Sequence, residues 1–207
     1  MLGVYNYTVI LTYVGMLAGF SGILCVLEGN IREAIICLMI AGLCDMFDGK
    51  IASTMKRTRK EKRFGVQIDS LSDLVSFGVL PALIVYTGCT WKLRIIPSAV
   101  YLLCALIRLA WFNVDEEERQ DLEKGSRRYY YGLPVTCAAL IFPCVFILCA
   151  KLNWPFSKLS SIVLLCMAAA FLTPFRVKKP SISWRKMEKF LSGMSGIISA
   201  VLVRKSV

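Results

Sequence analysis

The sequence predicts an all-α fold: a polytopic membrane bundle of about six transmembrane helices with an amphipathic or interfacial C-terminal tail. Three observations lead there. Hydrophobic residues make up 57% of the 207 residues, above the roughly 45–50% usual in a soluble domain, and the mean hydropathy is +0.61. The excess is gathered in blocks of about 20 residues, the length a helix needs to cross hydrocarbon. The formal net charge of +11 sits mainly between those blocks, as in loops beside an anionic leaflet.

The blocks place six spans, at Tyr7–Leu27, Ile31–Phe47, Val66–Thr87, Leu93–Phe112, Leu133–Ala150 and Leu159–Phe175. The first lacks a preceding basic region, so it is expected to be a retained span rather than a cleaved leader. The second and third each carry carboxylates at one end, which is expected to project beyond the hydrocarbon. After the fourth comes the acidic run Asp115–Asp121, expected as a solvated helix extension. Pro81, Pro134 and Pro143 read as kinks or span starts. The tyrosines 129–131 read as interface anchors before the fifth span. The tail contains a short apolar stretch, Phe190–Val203, too short to span comfortably and expected at the interface or against the bundle. Residues 1–176 are therefore expected as one transmembrane domain and 177–207 as a basic tail.

Loop charge sets the orientation. The stretches 50–64, 113–131 and the tail after 175 hold 19 of the 25 Lys and Arg. The positive-inside rule puts these stretches and both termini in the cytoplasm. The same flanking arrangement argues against nucleic acid as a partner. Nine cysteines lie mostly within apolar blocks, none in a C-x-x-C pair, and there is no histidine. They read as small buried apolar residues rather than a disulfide framework or a zinc site.

Chemistry is concentrated in Asp45, Asp48, Asp69 and Asp73. Carboxylates in or beside a bilayer are costly and mark function. Spacings of three and four residues put each pair on one helix face, so two facing helices would converge four carboxylates on one point. Oxygen ligands of this kind suit hard divalent cations. Gly49, Ala52 and Gly65 share these stripes and leave room for a ligand or a partner helix beside the acids. A single aspartate here would read as a helix cap or a partner for the basic loop 56–63. Four, interleaved with small residues, point to a site.

This pattern resembles the signature of the CDP-alcohol phosphatidyltransferase family, D-x-x-D-G-x-x-A-R-x8-G-x-x-x-D-x-x-x-D. Asp45, Asp48, Gly49, Ala52, Gly65, Asp69 and Asp73 match its fixed positions. Ser53 stands where the family has Arg, and eleven residues (54–64) intervene where eight are usual. Gln67–Pro81, Ile107–Asn113, Tyr131–Pro134 and Leu11–Gly15 resemble the branch that uses serine, although Gly15 replaces a common Asn. The resemblance covers about residues 8–176.

The resemblance implies a homodimeric enzyme of six core helices. It would transfer the phosphatidyl group of CDP-diacylglycerol to the hydroxyl of L-serine and release CMP. It implies Mg²⁺ or Mn²⁺ on Asp45, Asp48 and Asp69, with Asp73 serving a second metal or acting as general base. The CDP-lipid would meet Asp45, Asp48, Gly49, Ala52 and Gly65, and Lys56 or Arg57 would replace the missing Arg. Membrane lipid surrounds such a protein, and the plasma membrane with a cytoplasmic active site is the expected location.

Arg108, alone among cations in lying in the interior of a span rather than at its end, needs an anion or a carbonyl. It is expected to meet the serine carboxylate, with Asn113 nearby; a lipid phosphate, a motif aspartate or a backbone carbonyl are its other options. Two rival functions remain at this stage. A relative could use glycerol 3-phosphate, inositol phosphate or an archaeal ether-lipid donor. A divalent-cation transporter would instead place carboxylates near the midplane of several spans, whereas these cluster at one face.

Overall fold

The computed structural model describes residues 3–52, 54–55, 57–122, 129–174 and 176–178, with isolated positions between 192 and 201. The expectations for Ser53, Lys56 and nearly all of the tail lie outside the described residues. Helices α1 (Tyr7–Leu27) and α2 (Ile31–Ala52) form a hairpin. Gly29 turns it at φ +82°, a left-handed conformation that glycine adopts without steric cost. The Gly29 N–H donates to Val26 O at 3.0 Å and the Asn30 N–H to Cys25 O at 2.8 Å, so the last carbonyls of α1 are satisfied in a Schellman arrangement.

Helix α3 (Arg59–Asp73) runs through a π turn at Leu74–Val79 into α4 (Leu80–Gly88). It begins well before the expected Val66, because Thr58 and Glu61 form a capping box. Thr58 Oγ1 accepts from the Glu61 N–H at 3.3 Å, and the Thr58 N–H donates to Glu61 Oε2 at 2.8 Å, which satisfies two otherwise orphaned donors. Pro81 explains the irregularity beyond: it has no N–H to offer the carbonyl four residues back, that of Phe77. The Tyr101 hydroxyl donates to that oxygen instead, at 2.7 Å.

Helix α5 (Ile95–Leu122) absorbs the acidic run as the expected extension. A 3-10 turn at Val135–Cys137 leads into α6 (Ala138–Leu152), which contains Pro143, and α7 is Phe156–Leu172. A feature not anticipated from sequence is a two-stranded antiparallel ribbon, β1 (Tyr129–Tyr131) with β2 (Arg176–Lys178), pairing Tyr130 with Val177. Consecutive tyrosines favour extended backbone, so they form a strand there.

The fold is thus the expected helical membrane bundle. Tyr7–Leu27, Arg59–Gly88, Ile95–Glu118 and Val135–Leu152 are long and apolar enough to cross a membrane, and Phe156–Leu172 is apolar but shorter. Helix α2 has the length, 22 residues, but carries Asp45, Asp48 and Lys50 near its end. The core joins Leu38 of α2, Phe77 and Leu80 around the π turn, Tyr101 of α5, Phe142 of α6 and Phe171 of α7. Glycines let the helices close in. A Cβ on Gly19 would lie 2.2 Å from Ser76 Oγ, and one on Gly42 would lie 2.4 Å from Ala139 Cβ. The result brings the C-terminal turns of α2 and the Gly65–Asp69 stretch of α3 to one cavity, with the first turns of α1 forming a further wall. All nine cysteines are unpaired.

Candidate active site

Three of the four carboxylates expected to converge do so. Oxygens of Asp45, Asp48 and Asp69 all lie within 4.8 Å of one another. Asp48 and Asp69 come within hydrogen-bonding range of each other. Two carboxylates so close must share a proton or a cation, since like charges at that range repel. An oxygen-only cluster of formal charge −3, supported by the rigid helices α2 and α3, therefore fits a hard divalent cation. Asp73 stands one turn beyond Asp69, is 9% exposed, and falls outside that close group. The charges of Asp45, Asp69 and Asp48 nevertheless act on it.

A cavity of about 230 Å³ opens beside the cluster. Asp48, Gly49 and Ala52 of α2, Arg57 of the loop, and Gly65 and Asp69 of α3 line it. A Cβ on Gly49 would meet nothing within 4 Å, so this glycine keeps open space rather than a helix contact. Gly65 does something different: a Cβ there would lie 3.2 Å from Arg57 Nη1, so its absence seats the guanidinium. Asp45 faces the other carboxylates and is not part of the cavity wall.

Sequence reasoning missed the contribution of α1. Thr8, Val9 and Thr12 form one wall, and Lys62 lies at the rim. The Thr12 hydroxyl donates to Asp48 Oδ2 at 3.1 Å, and Ser72 Oγ donates to the Thr12 carbonyl at 3.4 Å. Thr12 therefore ties α1 to both acid-bearing helices and orients a carboxylate. The available signal was two threonines four apart in an apolar span, which share one helix face.

Arg108 and Asn113, paired in the sequence reading, point to different places. Arg108 is 8% exposed and its Nε donates to Leu133 O at 3.4 Å, one of the partners foreseen for it. It lines a second cavity, of about 430 Å³, with Trp111, Asp115 and Phe171. Asn113 faces α3, accepting from Ser70 Oγ at 2.6 Å and donating to Gln67 Oε1 at 3.4 Å. Neither lines the cavity beside the aspartates. Five residues along a helix is a rotation of about 140°, which is why they diverge. Nearby, Arg63 and Glu117 pair across α3 and α5.

The sequence model of the CDP-alcohol phosphatidyltransferase family matches residues 5–175. The chain belongs to this family. The match takes in α1 through α7 and so all of the aspartate site. Among relatives of known activity, the archaetidylserine synthase of Methanothermobacter thermautotrophicus is 33% identical over 125 residues, covering 59% of this chain and 50% of that protein. The CDP-diacylglycerol–serine O-phosphatidyltransferase of Saccharomyces cerevisiae is 34% identical over 142 residues, covering 62% and 50%. The Bacillus subtilis enzyme of the same name is 27% identical over 139 residues, covering 65% and 72%. The chain spans about half the length of the first two.

Proposed function

We propose that this protein transfers the phosphatidyl group of CDP-diacylglycerol to the hydroxyl of L-serine, yielding phosphatidylserine and CMP. The convergence of Asp45, Asp48 and Asp69 beside an open cavity carries the reading. The names of the similar family members support serine as the acceptor. Mg²⁺ or Mn²⁺ held by these three aspartates, with Asp73 close by, would neutralise the diphosphate and stabilise the departing CMP.

The chain's own residues account for the rest. Gly49 and Ala52 keep the cavity wall low enough for the CDP head group to approach backbone, while Gly65 makes room for Arg57. Asp73, buried one turn past Asp69, is assigned as general base. It takes the serine hydroxyl proton as the new P–O bond forms and the phosphoanhydride P–O bond breaks, with the electron pair leaving on CMP. Of the two residues suggested for serine, Arg108 is kept for the role, although it lines the second cavity rather than the one beside the aspartates, because a buried guanidinium matches a carboxylate. Asn113 is assigned to holding α5 against α3.

Residues 1–176 are proposed as the catalytic domain and 177–207 as a basic tail. The protein is proposed to act as a homodimer in the plasma membrane, with the aspartates at the cytoplasmic face. Labelling of the 56–63 loop from outside intact cells would refute that orientation. The function is tested by offering purified protein and CDP-diacylglycerol a panel of serine, glycerol 3-phosphate and inositol phosphate. Serine alone should release CMP; release with another acceptor and not with serine sinks the assignment.

A further inference from the structure

The family signature places an arginine directly after the alanine of its first half, and this chain has Ser53 there. A CDP-lipid bound beside three carboxylates still brings a diphosphate whose oxygens need cationic donors. The cavity supplies them from elsewhere. Arg57 and Lys62 both line it, together with Asp48 and Asp69. The Arg57 Nε is buried and has no hydrogen-bond partner. An unsatisfied buried donor on a cation is costly, and Arg57 lines the cavity, so an anion bound there lies beside its guanidinium.

The surrounding loop is built to hold this guanidinium. Thr54 Oγ1 donates to Ile51 O at 2.8 Å, fixing the loop to the end of α2. The Tyr7 hydroxyl lies 3.1 Å from the same Thr54 Oγ1. At the other end, the capping box fixes Thr58 to the first turn of α3, and Asn6 Nδ2 donates to Glu61 Oε1 at 3.5 Å. Residues at the start of α1 thus hold both ends of the segment carrying Arg57. Gly65 provides the recess in which Nη1 lies.

We infer that Arg57, assisted by Lys62 at the rim, binds the diphosphate of the CDP-lipid in place of the arginine missing at position 53. The cavity then carries both kinds of group, acids for a cation and cations for phosphate oxygens. The longer linker between the two half-motifs acquires a purpose, since it brings a cation back from the loop. This inference rests on the reading of the site as a CDP-lipid site.

The test is titration of CDP, with Mg²⁺ present, into the detergent-solubilised full-length protein by calorimetry. Arg57→Gln should weaken CDP binding by roughly tenfold to a hundredfold, the loss typical of a hydrogen bond to a charged group. Arg57→Lys should weaken it less, since the charge stays and only the forked geometry is lost. Adding Ser53→Arg to Arg57→Gln should restore affinity to within a fewfold. If Arg57→Gln does not fold, Lys62→Gln, at an exposed position, reads the same effect as a severalfold loss. Wild-type CDP affinity in the Arg57 and Lys62 variants overturns the inference while leaving the CDP-lipid site intact. A wild-type protein that binds no CDP overturns both.

Discussion

Thr12→Val removes one hydroxyl and almost nothing else. Valine has nearly the same shape, and the Thr12 backbone carbonyl that accepts from Ser72 Oγ remains. What goes is the 3.1 Å bond to Asp48 Oδ2. Thr12 is 7% exposed and Asp48 9% exposed, so water cannot readily replace the donor. A hydrogen bond to a charged group contributes about 1.5–3 kcal/mol. Loss of a residue that orients a metal ligand typically lowers metal affinity or activity by about 10- to 100-fold. The expected result is a drop of that size in Mn²⁺ affinity, read by calorimetry or electron paramagnetic resonance, with activity recovering at high metal concentration. The thermal midpoint in detergent should stay close to wild type. Unchanged Mn²⁺ affinity would refute the claim that α1 orients the aspartate cluster.

Three further outcomes separate packing from chemistry. Gly19→Ala should destabilise the bundle by roughly 1–3 kcal/mol through overpacking, because its Cβ would meet Ser76 Oγ at 2.2 Å. Gly49→Ala, with open space around it, should leave the thermal midpoint unchanged and weaken CDP binding; the reverse pattern would contradict the placement of both glycines. Tyr101→Phe should cost about 1–3 kcal/mol by orphaning the Phe77 carbonyl, and equal stability of the two proteins would show that the oxygen finds another donor. Arg108→Lys should raise the serine KM while CDP affinity persists; weaker CDP binding with an unchanged serine KM would reassign Arg108 to the lipid phosphate.

Much of this protein was legible because a bilayer imposes strong rules. Helix α1 follows the apolar block Tyr7–Leu27, and the spacing of Asp45, Asp48 and Asp69 anticipated their convergence. The start of α3 was misplaced because hydropathy marks the hydrocarbon and not the helix. The sequence signal for that start was Thr58 with Glu61 three residues on, a capping signature outside the apolar block. The π turn follows from Pro81 only once Tyr101 is known to reach the Phe77 carbonyl. The spacing of Thr8 and Thr12 marked a shared helix face, but the role of Thr12 was not legible for the same reason: it comes from the packing of α1 against two other helices. Arg108 and Asn113 were grouped because they are close in sequence, but helical rotation separates them. The ribbon of β1 and β2 joins residues nearly fifty apart, a pairing that local pattern does not encode.

The most direct test of the central claim is the stoichiometry of a single purified reaction. Protein, CDP-diacylglycerol, serine and Mn²⁺ should give one phosphatidylserine for each CMP, quantified by mass spectrometry. Chelation should abolish both products, and so should Asp69→Asn, which removes a ligand and a charge from the cluster, while its thermal midpoint shows that it folds. Phosphatidylserine formed at the wild-type rate by Asp69→Asn in chelator would contradict the account.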